Sequence, residues 1–478
     1  MSFETRLAVA GIAVGAVLTF IGTGITILWP DKKWLGWACL VLAALIFGGL
    51  VVWLAFELRQ SQGNSRLSSL GVFVLVGAIL GAISGGIIWR VSSAALLPPD
   101  TGNEAAESSA IANLSRLGWT VKPGSDEIEF EIWTKPMPPM KESAVYFAQL
   151  HKPWRLHFQG IKSLDGLHEL SSVAGCVKIE INAGEFFDIS ELRGFHNLIQ
   201  LTISQTPING LGVIDSAPLA SLTNLQELTL SGSKVKTIDA LAGLVKLEKV
   251  NLGTTLIRDL SPLAKHQLLR FLEIRETEVS DLTALRTLPS LEELVISGRQ
   301  VPDLGIAAGM GKLKKLTLIE QSPTDLTPIG ELTQLEDLWI WGIPQFNIKP
   351  LGQLTHLRSL ALQGIGFTVS SDVTEMSAIG KLKDLRKLAL SELKVDNLEF
   401  VRGLSSLEEI GVSRMPVTSI SPLRDLKSLK NVSLNITNVT DISPLMQLPA
   451  LENVSVMRTP ARADVLTELE RRGVKVQR

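Results

Sequence analysis

The chain has 478 residues, of which 45% are hydrophobic, and it carries a formal net charge of −2 and two cysteines, Cys39 and Cys176. At about 150 residues per domain the length suggests about three folding units. A near-neutral chain with so few cysteines is not a polybasic nucleic-acid binder, a disulfide scaffold or an all-cysteine zinc protein. Its mean hydropathy of +0.25 points instead to a membrane protein with a sizeable folded part.

Charge is sparse at the start of the chain. Residues 1–90 contain three runs without any charged side chain, Leu7–Trp29, Leu35–Phe56 and Leu67–Trp89, each 22 or 23 residues long. Helices of that length rise about 33–35 Å, enough to cross a bilayer. Trp29, Trp34, Trp53 and Trp89 stand near their ends, as an interfacial aromatic belt requires. The expectation is a three-helix transmembrane domain over 1–90. With no ionisable group inside any run, transport chemistry within one copy is disfavoured. Gly77, Gly81 and Gly85, spaced by four, give the third run a flat strip for close helix contact. That strip serves either homo-oligomer formation or packing against the first two runs. The basic residues on the two sides tie, Arg6, Arg59 and Arg66 against Lys32, Lys33 and Arg90. A free amino terminus would tip the balance toward an inner-membrane protein with its folded part outside the cytoplasm.

Residues 91–109, rich in Ala, Ser and Pro, read as a linker. A short helix is expected over Ala110–Leu117, stopped by Gly118. Trp119–Lys122 and Glu127–Trp133 flank Pro123–Asp126 as a hairpin, and a helix follows over Glu142–Leu150. Together, 110–150 form a small α+β cap for the apolar end of a stacked array.

From there apolar residues recur at relative positions 0, 3, 6, 9, 11, 16, 19 and 22, as in Leu241, Leu244, Leu247, Val250, Leu252, Ile257, Leu260 and Leu263. Thirteen units start between Leu170 and Leu445, nearly all 22 residues apart; the intervals after Leu192 and Leu351 are 27 and 28. The alternation at positions 9 and 11 makes a short strand. The spacing by three before it gives one apolar stripe on a helical turn. One unit cannot bury that stripe alone, so the units stack and their strands pair in parallel, with an edge strand at Leu156–Phe158. The array is expected over 151–463. Asp464–Arg472 as a helix, Gly473 as its stop and Val474–Val476 as a last strand form a C-terminal cap over 464–478.

The segments Asp259-Leu-Ser-Pro-Leu263 and Asp441-Ile-Ser-Pro-Leu445, with Thr206, Thr255, Thr277, Thr437 and Thr459 ahead of such segments or at the matching position, resemble the internalin-like, protein-phosphatase-regulator-like class of leucine-rich repeat over 170–460. The resemblance implies an α/β solenoid, a leucine-rich repeat horseshoe with a concave parallel sheet. It also implies a buried hydroxyl ladder running from coil to coil. Arg299, Gln321, Ile343, Ile365, Leu393 and Met415 occupy the threonine position in the middle units and should break that ladder. With three apolar runs in place of a secreted internalin's signal and attachment regions, an invasion role does not carry over.

No HExxH, nucleophile elbow, Walker loop or CxxC is present, and six histidines are scattered along the chain. The sequence therefore suggests neither an enzyme nor a metal or other cofactor. Positions 8, 10 and 12 of each unit point out of the concave sheet. Late in the array these are small and polar (Ser413, Asn431, Ser433, Asn435, Ser455). In the middle they are Phe271, Glu273, Arg275, Val295, Thr317, Ile319, Trp339 and Trp341. Exposed Trp and Arg in such a setting mark an interface for a protein partner, unless a loop such as the 364–376 insertion folds over them. The expected function is a membrane-anchored receptor or scaffold. The alternative is a membrane effector whose repeats sense a ligand and drive assembly of the spans.

Overall fold

In the computed structural model the described residues run from 101 to 478, apart from 125, 134–135, 184–187, 205–213, 298–308, 320–324, 344 and 366–371. The three apolar runs and Gly77, Gly81 and Gly85 lie outside them. No helix among the described residues is long and apolar enough to cross a membrane.

The folded part begins with helix α1 (Thr101–Arg116), which starts within the stretch read as a linker and turns Ala110 and Leu114 into the core. Composition misleads here, because the polar first turns of α1 look like linker and only its last turns are buried. Strands β1 (Thr120–Pro123) and β2 (Ile128–Trp133) form the expected antiparallel hairpin, and helix α2 spans Met140–Phe147. Strand β3 (Trp154–Gln159) is not an edge, because β2 pairs with it in parallel on the outer side. The cap thus extends the array's own sheet. Trp119, Phe130, Phe147, Phe158 and Trp154 fill this end, with ring centroids 4.4–6.2 Å apart.

The sheet then takes one strand from each coil: β4 (Cys176–Asn182), β5 (Gln200–Ser204), β6 (Glu227–Thr229), β7 (Lys249–Asn251), β8 (Phe271–Glu273), β9 (Glu293–Ser297), β10 (Lys315–Ile319) and β11 (Asp337–Ile343). Strand β12 (Gln345–Asn347) leaves it to pair with β14 (Asp372–Thr374), so the longest inter-unit insertion is tied to the preceding coil. Between those two segments β13 (Ser359–Gly364) continues the main sheet, followed by β15 (Lys387–Ser391), β16 (Glu409–Ser413), β17 (Asn431–Asn435) and β18 (Asn453–Ser455). Helix α3 (Ala463–Arg471), ended by Gly473 at φ 88°, and strand β19 (Lys475–Gln477) close the array. The described residues form a 17-stranded sheet in which all pairings but β1–β2 are parallel.

The stripe read from the sequence is the core. Leu241, Leu244, Leu247, Val250, Leu252, Ile257, Leu260 and Leu263 are each at most 1% exposed, and each such side chain contributes about 1.5–3 kcal/mol on burial. His266 also sits inside, its Nδ1 3.1 Å from the Leu263 carbonyl. Several of the turns on the opposite side of the coils, 3₁₀ at Ser261 and Thr283 and α-helical at Thr327, begin at an Asx turn. Asp259 accepts the Ser261 N–H at 2.8 Å, as Asp281 does that of Thr283 and Asp325 that of Thr327. The Ser261 hydrogen bonds hold the Asp259 carboxyl below its ordinary range.

Two local features were not foreseen. Most coils carry a left-handed residue at the end of the strand or just past it: Ala183, Gly232, Thr254, Glu276, Gly342, Glu392, Arg414, Ile436 and Arg458 have φ between 52° and 75°. At Gly232, Thr254, Glu276, Glu392, Arg414 and Ile436 this swings the chain so that the next side chain enters the core. Second, the buried hydroxyls do not form a ladder between coils. Thr255, Thr277 and Thr437 donate to the carbonyl three residues back, at 2.7–3.1 Å, and Ser233 does the same at 2.6 Å. They close their own turns; among the described residues the contact between coils is at Thr459, whose hydroxyl donates to the Leu434 carbonyl of the preceding coil and accepts from the Thr437 N–H. Leu393 and Met415 fill the same place with apolar side chains, both under 4% exposed, so the coil survives without the hydroxyl.

Candidate protein-binding face

Strand side chains alternate, so each coil sends three residues to the concave face. Parallel register carries the middle one across the whole sheet as a row: Glu131, His157, Glu180, Thr202, Thr229, Asn251, then Glu273, Val295, Thr317, Trp339, then Ala361, Ala389, Gly411, Ser433, Ser455 and Gln477. The expected site residues Glu273, Val295, Thr317 and Trp339 are therefore neighbours on four consecutive strands. Arg275, Ile319 and Trp341 lie two residues further along their strands. Phe271 lies two residues the other way, between Lys249 and Glu293.

Trp339 and Trp341 are 43% and 38% exposed, while Leu338 and Ile340 between and beside them are fully buried. That alternation fixes the register. The indoles stack on one another with centroids 6.0 Å apart and planes 26° from parallel. No described residue covers them. Gly342, at φ 75°, ends the pair. Phe271, Val295, Thr317 and Ile319 are half-buried among their neighbours. Arg275 lies 2.7 Å from Glu273, which also accepts a 2.8 Å hydrogen bond from Asn251. Burial pushes the Glu273 carboxyl up, and the Arg275 charge opposes this without cancelling it.

Beyond Trp339 the row shrinks. Ala361, Ala389, Gly411, Ser433 and Ser455 form the floor of a groove of about 650 Å³, with Trp339 at one end. Gly411 has open space where a Cβ would stand. The polar side chains at the far end brace each other: Asn453 donates to Asn431 at 2.6 Å, Asn435 to Ser433 at 2.9 Å, and Ser455 to Asn435 at 2.8 Å. Sequence reasoning singled out the small polar residues but not the groove. The signal was there at position 10 of the units starting at Leu351, Ile379 and Val401, which carry Ala, Ala and Gly.

At the other end of the sheet, Glu129, Glu131 and His157 bring three potential ligand atoms within 4.8 Å of one another. Both carboxylates are already engaged by cations, Glu131 by Lys122 at 2.5 Å and Glu129 by Arg155 at 2.7 Å. Burial pushes the Glu131 carboxyl up, but hydrogen bonds from Lys122 and Trp133 outweigh it and hold the group below its ordinary range. This is a charge-balanced network with little to offer a metal ion.

A model of a leucine-rich repeat region matches residues 245–472, and a second, of paired leucine-rich repeats, matches 223–265. Neither describes a catalytic family. Among solved structures, the chain is similar to an internalin of Listeria monocytogenes, with 24% identity over 65% of this chain and 88% of that one and a TM-score of 0.51. It is also similar to a leucine-rich repeat protein of Leptospira interrogans, with 18% identity over 72% and 93% and the same TM-score, 0.51. No curated protein matches this chain. At these identities the likeness shows the fold: the chain carries a solenoid of leucine-rich repeats, with a continuous concave parallel sheet.

Proposed function

We propose that the repeat domain binds a protein partner through its concave face, centred on Trp339 and Trp341, and that the apolar runs of residues 1–90 anchor it to a membrane. The stacked, exposed indole pair carries this reading. Large aromatics at the centre of a concave surface are the usual energetic anchors of an interface. The placement follows from the array, because a rigid sheet holds both rings without ordering a loop on binding. The reading further puts the repeats outside the cytoplasm of a bacterial cell.

A photo-crosslinking amino acid at position 339 or 341 in the full chain, expressed in its native cell, tests the site. One discrete protein adduct at these positions and none at the exposed Val145 of α2 is the expected result. Equal labelling at all three positions would defeat it. A periplasm-active phosphatase fused after Arg478 tests the topology, and its activity is expected.

A further inference from the structure

The groove continues the proposed concave-face interface, on which the assignment of its ligand rests. We propose that the groove beyond Trp339 takes an extended, uncharged peptide segment running across the strands. Two apolar side chains of that segment, about seven residues apart, anchor it at opposite ends.

Width argues for an extended chain. The rows flanking the floor lie four residues apart along each strand, about 13 Å. Their side chains narrow this below the 10–12 Å that a helix with side chains needs. An extended chain fits, and the absence of side chain at Gly411 and its shortness at Ala361 and Ala389 let that chain approach the sheet.

Charge argues for a neutral ligand. The upper flank is Gln363, Ser391, Ser413 and Asn435, which register across β13, β15, β16 and β17. On the lower flank Lys387 and Glu409 neutralise each other at 3.1 Å. Lys475, on the last strand, also lines the groove, so a charged segment would lose its hydration along the floor and meet a counter-charge only at that far end.

The ends argue for two anchors. Trp339 and Trp341 form one apolar wall. At the other end, just past β17 and β18 and outside the groove lining itself, the Ile436 N–H donates to the Met457 carbonyl at 2.9 Å, and these two side chains are 37% and 39% exposed. From β11 to β18 is five strand steps, about 24 Å at the usual spacing, which an extended chain spans in about seven residues.

The test uses the full chain and a phage-displayed library of random dodecapeptides, followed by fluorescence anisotropy on synthetic copies of the enriched sequences. The expected winners carry two large apolar residues six to eight positions apart and almost no charge between them. Gly411→Arg, where the new side chain starts in open space, should weaken their binding at least tenfold. Ser433→Arg repeats the block on another coil. Thr202→Arg, in the same row of the other half, should change binding less than twofold. Charged winners, winners without the spacing, displacement by neutral oligosaccharides, or full binding by folded Gly411→Arg and Ser433→Arg would each overturn the peptide assignment. If Trp339→Ala abolishes binding while the groove variants do not, the interface stands and the groove reading falls. If none of them matters, both fall.

Discussion

The two halves of the concave sheet share one backbone and differ in what they display. From β2 to β10 the face is charged: Glu129 with Arg155, Glu131 with Lys122, Lys178 with Glu180, Glu227 with Lys249 and Glu273 with Arg275 are each 2.5–2.7 Å apart. From β11 onward the middle row turns aromatic, then small and uncharged, while the lower flank still carries Asp337, Lys387, Glu409 and Lys475. These pairs keep their cations 23–59% exposed, although Glu131 itself is buried, and such pairs are individually weak and screened by salt. The first half therefore presents satisfied charges, and the second presents, along its middle and upper rows, apolar and hydrogen-bonding surface. Affinity is expected to reside in the second half although the core beneath is the same.

The largest test asks whether the halves are one cooperative unit. Leu228→Ala under the charged half and Leu360→Ala beside the tryptophans remove side chains that are 1% exposed. Each should cost about 2–5 kcal/mol. Urea unfolding followed by circular dichroism and by tryptophan fluorescence should shift together for both variants. Separate transitions would mean that the halves melt independently.

A smaller effect is local to the aromatic pair. Gly342→Ala forces a Cβ into a left-handed position and should cost about 1–2 kcal/mol. Ile436→Gly, at the equivalent position with φ 56°, should gain a comparable amount, less what its exposed contacts contribute. Thermal melts of the two variants should move in opposite directions.

The smallest effect sharpens the contrast within one row. Glu131 and Glu273 sit on the same line of side chains with opposite shifts. The Glu131 carboxyl is held low, so its contribution to stability is present above the ordinary value of 4.5 and lost as pH falls through its folded value. The Glu273 carboxyl is held high, so its favourable term is full below 4.5 and lost as pH rises through its folded value. At neutral pH Glu131→Gln should lower stability and Glu273→Gln should raise it, each by under about 1 kcal/mol. Both differences should shrink in acid. Melting curves from pH 7 to pH 3 with the same sign for both variants would contradict this assignment.

The core and strand register were legible because apolar spacing is a direct record of burial: Leu241 through Leu263 pointed inward as read. Trp339 and Trp341 were legible as exposed for the same reason. The left-handed residue was not, because its identity varies from Gly232 to Ile436 and only its position repeats. The start of α1 was hidden by polar residues that a half-exposed helix tolerates. The hydroxyl ladder failed because a threonine position shows that a hydroxyl is buried but not which carbonyl it reaches. The hydroxyl of Thr255 donates to the Leu252 carbonyl, three residues back in its own coil. The groove was missed because it is defined by what Ala361, Ala389 and Gly411 lack.

Because each coil brings its own strand, turn and core, the groove behaves as a ruler graduated in strand spacings. Excising Val401–Pro422, one repeat of 22 residues, would leave every remaining row in register and bring its two apolar ends closer by about 4.8 Å. The chain would then measure out a shorter segment, so copying or losing single repeats retunes selectivity without redesigning any contact.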